Sequence, residues 1–172
     1  MAATLIYLNI DFQDGSKVEG ESTAKNYEKR IEIESFSWEM EVEHREDTKS
    51  RETNSTVKPR MVKIEKFFDA SSTLMMQKMS AGTPFKAARI TFADMVLAEG
   101  RTPKQIMSIL LKGGFVEEVK LSTGSAGKAM SVKETISLSF NQLVLQYHPH
   151  VLGKDSRGNA ILYSTDLPCV KN

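Results

Sequence analysis

The chain has 172 residues, with 23 lysines and arginines against 22 aspartates and glutamates, and a single cysteine. This length fits one domain, residues 1–172, and it buries enough apolar surface to fold without a disulfide or a metal. The formal net charge of +1 excludes proteins that coat nucleic acids, because their affinity depends on excess positive charge. One cysteine, Cys169, cannot form an internal disulfide, so nothing requires an oxidising compartment.

The N-terminal stretch MAATLIYLNIDF lacks the basic segment of a signal peptide and reaches Asp11 early. No apolar run approaches the ~20 residues of a membrane helix. We therefore expect a protein that is made in the cytoplasm without a signal peptide and that does not insert into membranes.

Two strand patterns open the chain. Thr4–Phe12 alternates apolar and polar residues, as a half-buried strand does. Lys29–Val42 (KRIEIESFSWEMEV) alternates over a longer stretch, but the apolar phase changes between Ile33 and Phe36. This change predicts either a bulge or a strand whose two ends bury opposite faces.

The segment from His44 to Val57 is the one long charged stretch without apolar periodicity. It is either a solvated mobile insert or an arm that orders against a neighbouring subunit. For the second interpretation, the candidate contact residues are Arg45, Glu46, Asp47, Lys49, Arg51 and Glu52.

The middle and end of the chain are rich in strand patterns. One helix is predicted over Asp69–Gly82, with candidate N-caps at its start, an apolar stripe of Leu74, Met75 and Met79, and Gly82 as the residue after its end. A flexible loop is predicted over Ser122–Lys128. Further strands are predicted at Pro59–Phe68, Pro84–Phe92, Gln105–Leu111, Phe115–Leu121, Ser131–Tyr147 and Ala160–Tyr163. The apolar phase of Ser131–Tyr147 changes at Asn141-Gln142, as it does in Lys29–Val42.

Seven or eight strands and one helix predict a mainly β fold, a small antiparallel β-barrel built from two sheets with the helix on its flank. The inward phases carry large residues, among them Phe36, Trp38, Leu138 and Phe140, which would fill a small barrel. That filling disfavours a barrel that binds a small ligand in its interior, as lipocalins do.

The residues that carry chemistry do not form a recognisable site. His44, His148 and His150 are the histidines, and no third ligand stands near the His148-Pro149-His150 pair. A hydrolase that uses His148 or His150 ranks low, because neither has an evident catalytic partner. Cys169 has no histidine near it in sequence. We therefore predict no catalytic residue, no metal and no cofactor.

Several segments, in order, resemble the Hcp family, the tube proteins of bacterial type VI secretion systems. Gly20-Glu21-Ser22 is similar to the family's "GES" segment, and Ile31–Trp38 resembles its "I-E-V-x-S-F-S-W" strand. Ile64–Ser72 resembles the "F-x-K-x-x-D-x-S-S" segment that enters the helix, with Thr73 where proline is usual. Glu134–Tyr147 resembles the strand "E-x-V-x-L-x-F-x-x-V-x-x-x-Y". Many relatives have a glycine-rich stretch where this chain has its charged segment.

The resemblance implies a homo-hexameric ring whose copies stack into a hollow, secreted tube. It also implies that a contracting sheath propels the tube, that baseplate and VgrG-type spike proteins contact it, and that effector proteins travel in its lumen. Within the subunit it implies core anchors at Phe36, Trp38, Phe140 and Tyr147. Phage tail-tube proteins are thought to share the fold, so a tail-tube subunit of another contractile injection device is the alternative.

Overall fold

A computed structural model describes residues 3–46, 53–95, 103–126, 129–149 and 157–170. Within these ranges the chain has thirteen strands and one helix. In chain order the elements are β1 (Ala3–Phe12), β2 (Lys17–Val18), β3 (Ile31–Ile33), β4 (Ser35–Ser37), β5 (Met40–Glu46), β6 (Thr53–Pro59), β7 (Val62–Phe67), α1 (Ser72–Ser80), β8 (Phe85–Met95), β9 (Lys104–Gly114), β10 (Val116–Ala126), β11 (Ala129–Leu138), β12 (Gln142–Tyr147) and β13 (Ile161–Thr165).

The strands form two main sheets. The large sheet has seven strands in the order β13-β12-β9-β8-β1-β2, with β3 also paired to β1, and the small sheet has four in the order β10-β11-β7-β4. Apolar side chains from both sheets share one core, which includes Leu8 and Ile90 from the large sheet and Ile64 and Leu138 from the small one. The mainly β, two-sheet architecture with one helix is therefore confirmed. Strand pairing among the described residues does not close into a ring, so the predicted barrel is not confirmed.

The stretch predicted as one long strand, Lys29–Val42, is divided among three sheets. β3 pairs with β1 in the large sheet, β4 pairs with β7 in the small sheet, and β5 pairs with β6 in a separate hairpin. Between β3 and β4 the chain crosses from the large sheet to the small one. At this first crossing, the Glu34 N–H donates a hydrogen bond of 2.8 Å to the Glu65 carbonyl. The change of phase between Ile33 and Phe36 thus marks the point where the chain passes from one sheet to the other.

The second change of phase marks a second crossing. β11 belongs to the small sheet and β12 to the large one, while β9 and β10 cross beside them in the opposite direction. β9–β10 and β11–β12 together form one bent two-stranded ribbon. Its corner is held where the Phe115 N–H donates to the Ser139 Oγ at 3.0 Å and the Ser139 N–H donates to the Phe115 carbonyl at 3.0 Å.

The corner of the ribbon needs glycine at two adjacent positions. Gly113 has a φ of +59°, in the left-handed region that glycine adopts without strain. A Cβ on Gly114 would lie 2.0 Å from the carbonyl oxygen of Ser139, which is backbone and cannot move aside cheaply. The Gly113-Gly114 pair is therefore a fixed bend within a continuous ribbon.

The helix is shorter than predicted but ends as predicted. It begins at Ser72, after a turn in which the Ser71 N–H donates 2.9 Å to Asp69 Oδ1, and it ends at Ser80. Gly82 has a φ of +63°, and its N–H donates to the Met79 carbonyl at 3.0 Å. The central residue of the predicted stripe, Met75, is buried.

The loop predicted over Ser122–Lys128 is wrong over most of its length. β10 runs through to Ala126 and β11 starts at Ala129, while residues 127–128 lie outside the described part of the chain. Small residues such as Ser122 and Thr123 suit this long hairpin because both of its faces are exposed there.

We expect Gly114→Ala to lower the free energy of unfolding by about 1–3 kcal/mol, because the added methyl overpacks the corner against backbone. Gly124→Ala is the matched control in the same ribbon, since a Cβ there meets no atom within 4 Å. Urea unfolding of both variants measures the difference. An equally small effect of the two substitutions would contradict the close approach at the corner.

Candidate functional site

A closed group of polar side chains joins the small sheet to the start of the helix. Lys66 on β7 is fully buried, and its Nζ lies 2.7 Å from Glu134 Oε2 and 2.8 Å from Asp69 Oδ1. It also donates to Ser72 Oγ at 3.0 Å. We refer to Lys66, Asp69, Ser72 and Glu134 as the Lys66 cluster.

Strand periodicity explains why two charged residues lie inside. Lys66 continues the inward phase of Val62 and Ile64, and Glu134 shares the inward phase of Ile136. In the pairing of β7 with β11, Lys66 and Glu134 stand directly opposite each other. The ammonium and the carboxylate are therefore brought together by the register of the two strands.

Ser72 completes the group because its hydroxyl both donates and accepts a hydrogen bond. Ser72 Oγ donates to Glu134 Oε2 at 2.8 Å and accepts the Asp69 N–H at 2.9 Å. Because an unpaired buried charge costs several kcal/mol, each member depends on the others. The cluster fixes the first residue of the helix relative to β7 and β11.

A further contact ties the cluster to the segment after β2. Glu21 Oε1 accepts the Ala70 N–H at 3.0 Å, in the turn between Asp69 and the helix. Three of the four segments that carry the family resemblance, which are distant in sequence, thus meet at one place. This meeting was not predicted from the sequence, although a lysine and a glutamate in the apolar phase of two strands were a signal that they pair.

The aromatic residues predicted as core anchors differ in their burial. Phe140 is 2% exposed, within the core. Phe36 is half-buried and meets Phe92 edge to face, with ring centroids 5.2 Å apart. Trp38 is also half-buried, and its indole N–H donates to the Arg60 carbonyl at 3.0 Å.

Tyr147, the fourth predicted anchor, lies on the surface of the single chain. Its side chain is 39% exposed, and its neighbour across the sheet, Ile161 on β13, is 60% exposed. Tyr147 lies on the same face of β12 as the buried Leu143, as predicted. At this end of the strand, however, the small sheet does not pack against that face.

The described residues of the charged segment from His44 to Val57 lie on two paired strands, β5 and β6. β5 and β6 pair from Met40 opposite Pro59 to Glu46 opposite Thr53. Of the proposed contact residues, Arg45 and Glu46 lie on β5. Asp47, Lys49, Arg51 and Glu52 are outside the described residues.

Ion pairs cover one face of this hairpin. Glu43 pairs with Lys58 across the strands and with Arg45 at 3.2 Å, and Arg60 pairs with Glu41 at 2.8 Å. The hydrogen bond from Lys58, followed by that from Arg45, lowers the pKa of Glu43. The hydrogen bond and charge of Glu41 raise the pKa of Arg60.

The two described histidines, His44 and His148, lie in different parts of the fold. His44 Nδ1 is 2.8 Å from Ser55 Oγ on the hairpin, and His148 Nδ1 is 3.5 Å from the Gly158 carbonyl. His150 is outside the described residues. In the part of the chain that the structure describes, no three His, Cys, Asp or Glu side chains are grouped as metal ligands. Nor does a helix there have the length and apolarity to span a membrane.

Comparison with known proteins gives one consistent family. The family model described as "Type VI secretion system effector, Hcp" matches residues 7–147. Protein hcp1 of Pseudomonas aeruginosa is 25% identical over 150 residues, which is 87% of this chain and 90% of that relative.

Solved structures agree on the fold. An Hcp1 protein from the E. coli EAEC 042 pathovar superposes with a TM-score of 0.74 at 16% identity, covering 95% of this chain and 99% of that one. Hcp1 from Salmonella typhimurium gives 0.67 at 22% identity, covering 96% and 95%.

We expect Lys66→Met to lower the free energy of unfolding by about 3–5 kcal/mol, because it leaves the buried Glu134 carboxylate without its counterion. Lys63→Met is the matched control, since Lys63 lies on the same strand with its side chain exposed. Adding Glu134→Leu to Lys66→Met should recover part of the loss. Equal unfolding midpoints for Lys66→Met and the wild type would show that the cluster does not hold the fold.

The hairpin ion pairs give a pH dependence whose sign is fixed. Because folding lowers the pKa of Glu43, its contribution to stability is present above the unfolded-state value of about 4.3 and is lost as the pH falls through the lower folded-state value. In Lys58→Met, NMR titration of the Glu43 carboxyl should give a higher midpoint than in the wild type, because the hydrogen bond from Lys58 is the largest cause of the lowered pKa. An unmoved midpoint would show that Lys58 is not the cause.

Proposed function

The chain belongs to the Hcp family of type VI secretion system proteins and is a structural tube subunit, and from this premise we propose that six copies form a ring and that rings stack into a hollow tube. The tube is propelled by a contracting sheath from a baseplate, carries a VgrG-type spike at its tip and holds effector proteins in its lumen. The subunit is made in the cytoplasm, leaves the cell through the machine itself and catalyses no reaction.

The extent of the family match carries this proposal. Residues 7–147 include strands of both sheets, the helix, the Lys66 cluster and both crossings of the ribbon. A match that covers the whole core favours the family's mechanical role over an unrelated function carried out by a separate site on the same fold.

The charge and shape of the subunit support assembly from identical copies. A net charge of +1 allows copies to approach without strong mutual repulsion. Contacts between two different surfaces of one subunit close into a ring when the rotation between neighbours permits it. The β5–β6 hairpin is a separate two-stranded sheet with ion pairs on one face, and we propose it as the arm that contacts a neighbouring subunit or ring.

The chemistry of the Lys66 cluster supports a structural role. Lys66 and Glu134 are sealed from solvent, and the cluster's groups hydrogen-bond to one another. No substrate reaches an amine or carboxylate placed in this way, so the cluster serves to hold the subunit rigid.

Negative-stain electron microscopy of the purified protein tests the ring directly. We expect rings of six copies and, at high concentration, stacks of rings, because the tube is their assembled form. A single-chain mass by light scattering across a broad concentration range would refute the assembly.

Deleting Arg45–Thr56, which removes the outer part of the hairpin, should leave the fold intact and weaken tube formation. The reason is that the described part of the deleted segment pairs only within the hairpin. Thermal unfolding followed by circular dichroism controls for the fold. Tubes of unchanged length and number would exclude the hairpin as the assembling arm.

A further inference from the structure

The β5–β6 hairpin is joined to the rest of the subunit at a narrow base. Among the described residues its two strands pair only with each other. The chain passes through the base twice, and the two passages are bonded together. The Arg60 N–H donates to the Glu39 carbonyl at 3.0 Å, and the indole N–H of Trp38 donates to the Arg60 carbonyl at 3.0 Å. Two adjacent passages define an axis about which a two-stranded ribbon can turn, so the direction of the hairpin depends on further contacts at its base.

One such contact comes from the chain after β13. The segment Leu167–Val170, which we name the strap, runs from the large sheet to the base of the hairpin. Val170 pairs with Arg60 as a parallel bridge, and the Val170 N–H donates to the Pro59 carbonyl at 2.7 Å. The strap therefore holds β6 at the residue where that strand ends.

The strap is anchored at the second crossing between the sheets. The Cys169 N–H donates to the Phe140 carbonyl at 3.0 Å, and Cys169 Sγ accepts the Phe140 N–H at 3.3 Å. Phe140 is 2% exposed and belongs to the core, so this anchor is a fixed point of the fold. Because the anchor and the link to β6 are on adjacent residues, the hairpin base cannot move away from the crossing while both hold.

The other strand of the hairpin is contacted from the same side of the molecule. The Tyr163 hydroxyl, on β13, donates to the sulfur of Met40, the first residue of β5, at 3.4 Å. The start of the strap is fixed where the Leu167 N–H donates to the Thr165 hydroxyl at 3.2 Å, at the end of β13. The chain from β13 to Val170 thus contacts both strands at the hairpin base.

The strap can open without opening the core. Leu167 and Val170 are 44% and 37% exposed, and Cys169 is half-buried. Little apolar surface is therefore uncovered when the strap lifts away, and its backbone hydrogen bonds are exchanged for bonds to water. Segments with few buried apolar contacts are the ones that open locally while the rest of a native protein stays folded.

We propose that the strap sets the direction of the β5–β6 hairpin and that release of the strap frees the hairpin to turn about its base. Cys169 and Val170 are the positioning residues, the first as the anchor on the core and the second as the link to β6. The direction of the hairpin is a property of the single chain. Only its consequence for tube assembly rests on the proposed function, in which the hairpin is the arm.

Distances between two spin labels test the direction of the hairpin. In a Cys169→Ser background, which retains a side-chain acceptor, Asn54→Cys and Lys112→Cys place the labels at exposed positions of β6 and β9. An excess of unlabelled chains restricts the measured distances to pairs within one chain. Val170→Pro removes the N–H that bonds to Pro59 and should broaden the distance distribution. Val170→Ala keeps that N–H and is the matched control, in which the distribution should stay narrow.

Amide hydrogen exchange measured by mass spectrometry tests the anchor without labels. Cys169→Ala removes the acceptor of the Phe140 N–H, whereas Cys169→Ser keeps one. Exchange of the Arg60 N–H, which bonds to the Glu39 carbonyl, should be faster than in the wild type in Cys169→Ala and unchanged in Cys169→Ser. Exchange along β7 should not change in either variant, because the core stays closed.

The outcomes separate the strap from the proposed function. An unchanged label distance in Val170→Pro, or unchanged exchange at Arg60 in Cys169→Ala, overturns the strap whether or not rings form. Faster exchange throughout β7 also overturns it, because the segment would then hold the whole core. A hairpin freed in Val170→Pro, with tubes of unchanged length and number, supports the strap and overturns the hairpin as the assembling arm. Wild-type protein that stays monomeric overturns the ring alone.

Discussion

The fold depends on segments of the chain that leave a strand of one sheet and, after a short bend, enter a strand of the other. At each crossing the inward residues on either side are three positions apart, Ile33 and Phe36 in one case and Phe140 and Leu143 in the other. A crossing therefore inserts one residue into the alternation, as a bulge does, and bends the strand toward the facing sheet. The bent ribbon then supplies strands to both sheets and closes one end of the core.

Much of this could be predicted from the sequence, because a change of phase is local information. The residues at which the two long patterns change phase were identified correctly, and so was the single helix with Gly82 after its end. That Ile31–Ile33 and Ser35–Ser37 belong to different sheets could not be predicted, because a strand's partners are distant in sequence. The hairpin at β5 and β6 was missed for another reason. Both faces of the hairpin are largely exposed, so apolar and polar residues do not alternate along its strands and no period-two pattern results.

The Lys66 cluster shows how a polar group can define a β-sheet core. Replacing a buried ion pair by apolar residues is often neutral or stabilising, so the cluster is not needed for stability as such. Its effect is to fix the position of β11 relative to β7. A shift of β11 against β7 would separate Lys66 from Glu134 and leave two buried charges unpaired, which costs far more than a change of apolar partners. The cluster therefore selects one register, and Ser72 transmits that register to the helix.

Register within the subunit also determines what the subunit exposes. Because Lys66 fixes β11 against β7, it also fixes how far β10 and β11 extend beyond the core, and so which apolar residues stay uncovered. Exposed apolar residues beside an edge strand favour indiscriminate pairing between chains, and β13 is such a strand among the described residues. The proposed closed ring would remove this hazard, because a closed assembly leaves no subunit at an open end. On this argument, the buried ion pair and the proposed ring contact are linked. The first holds the strands in the register that the second requires.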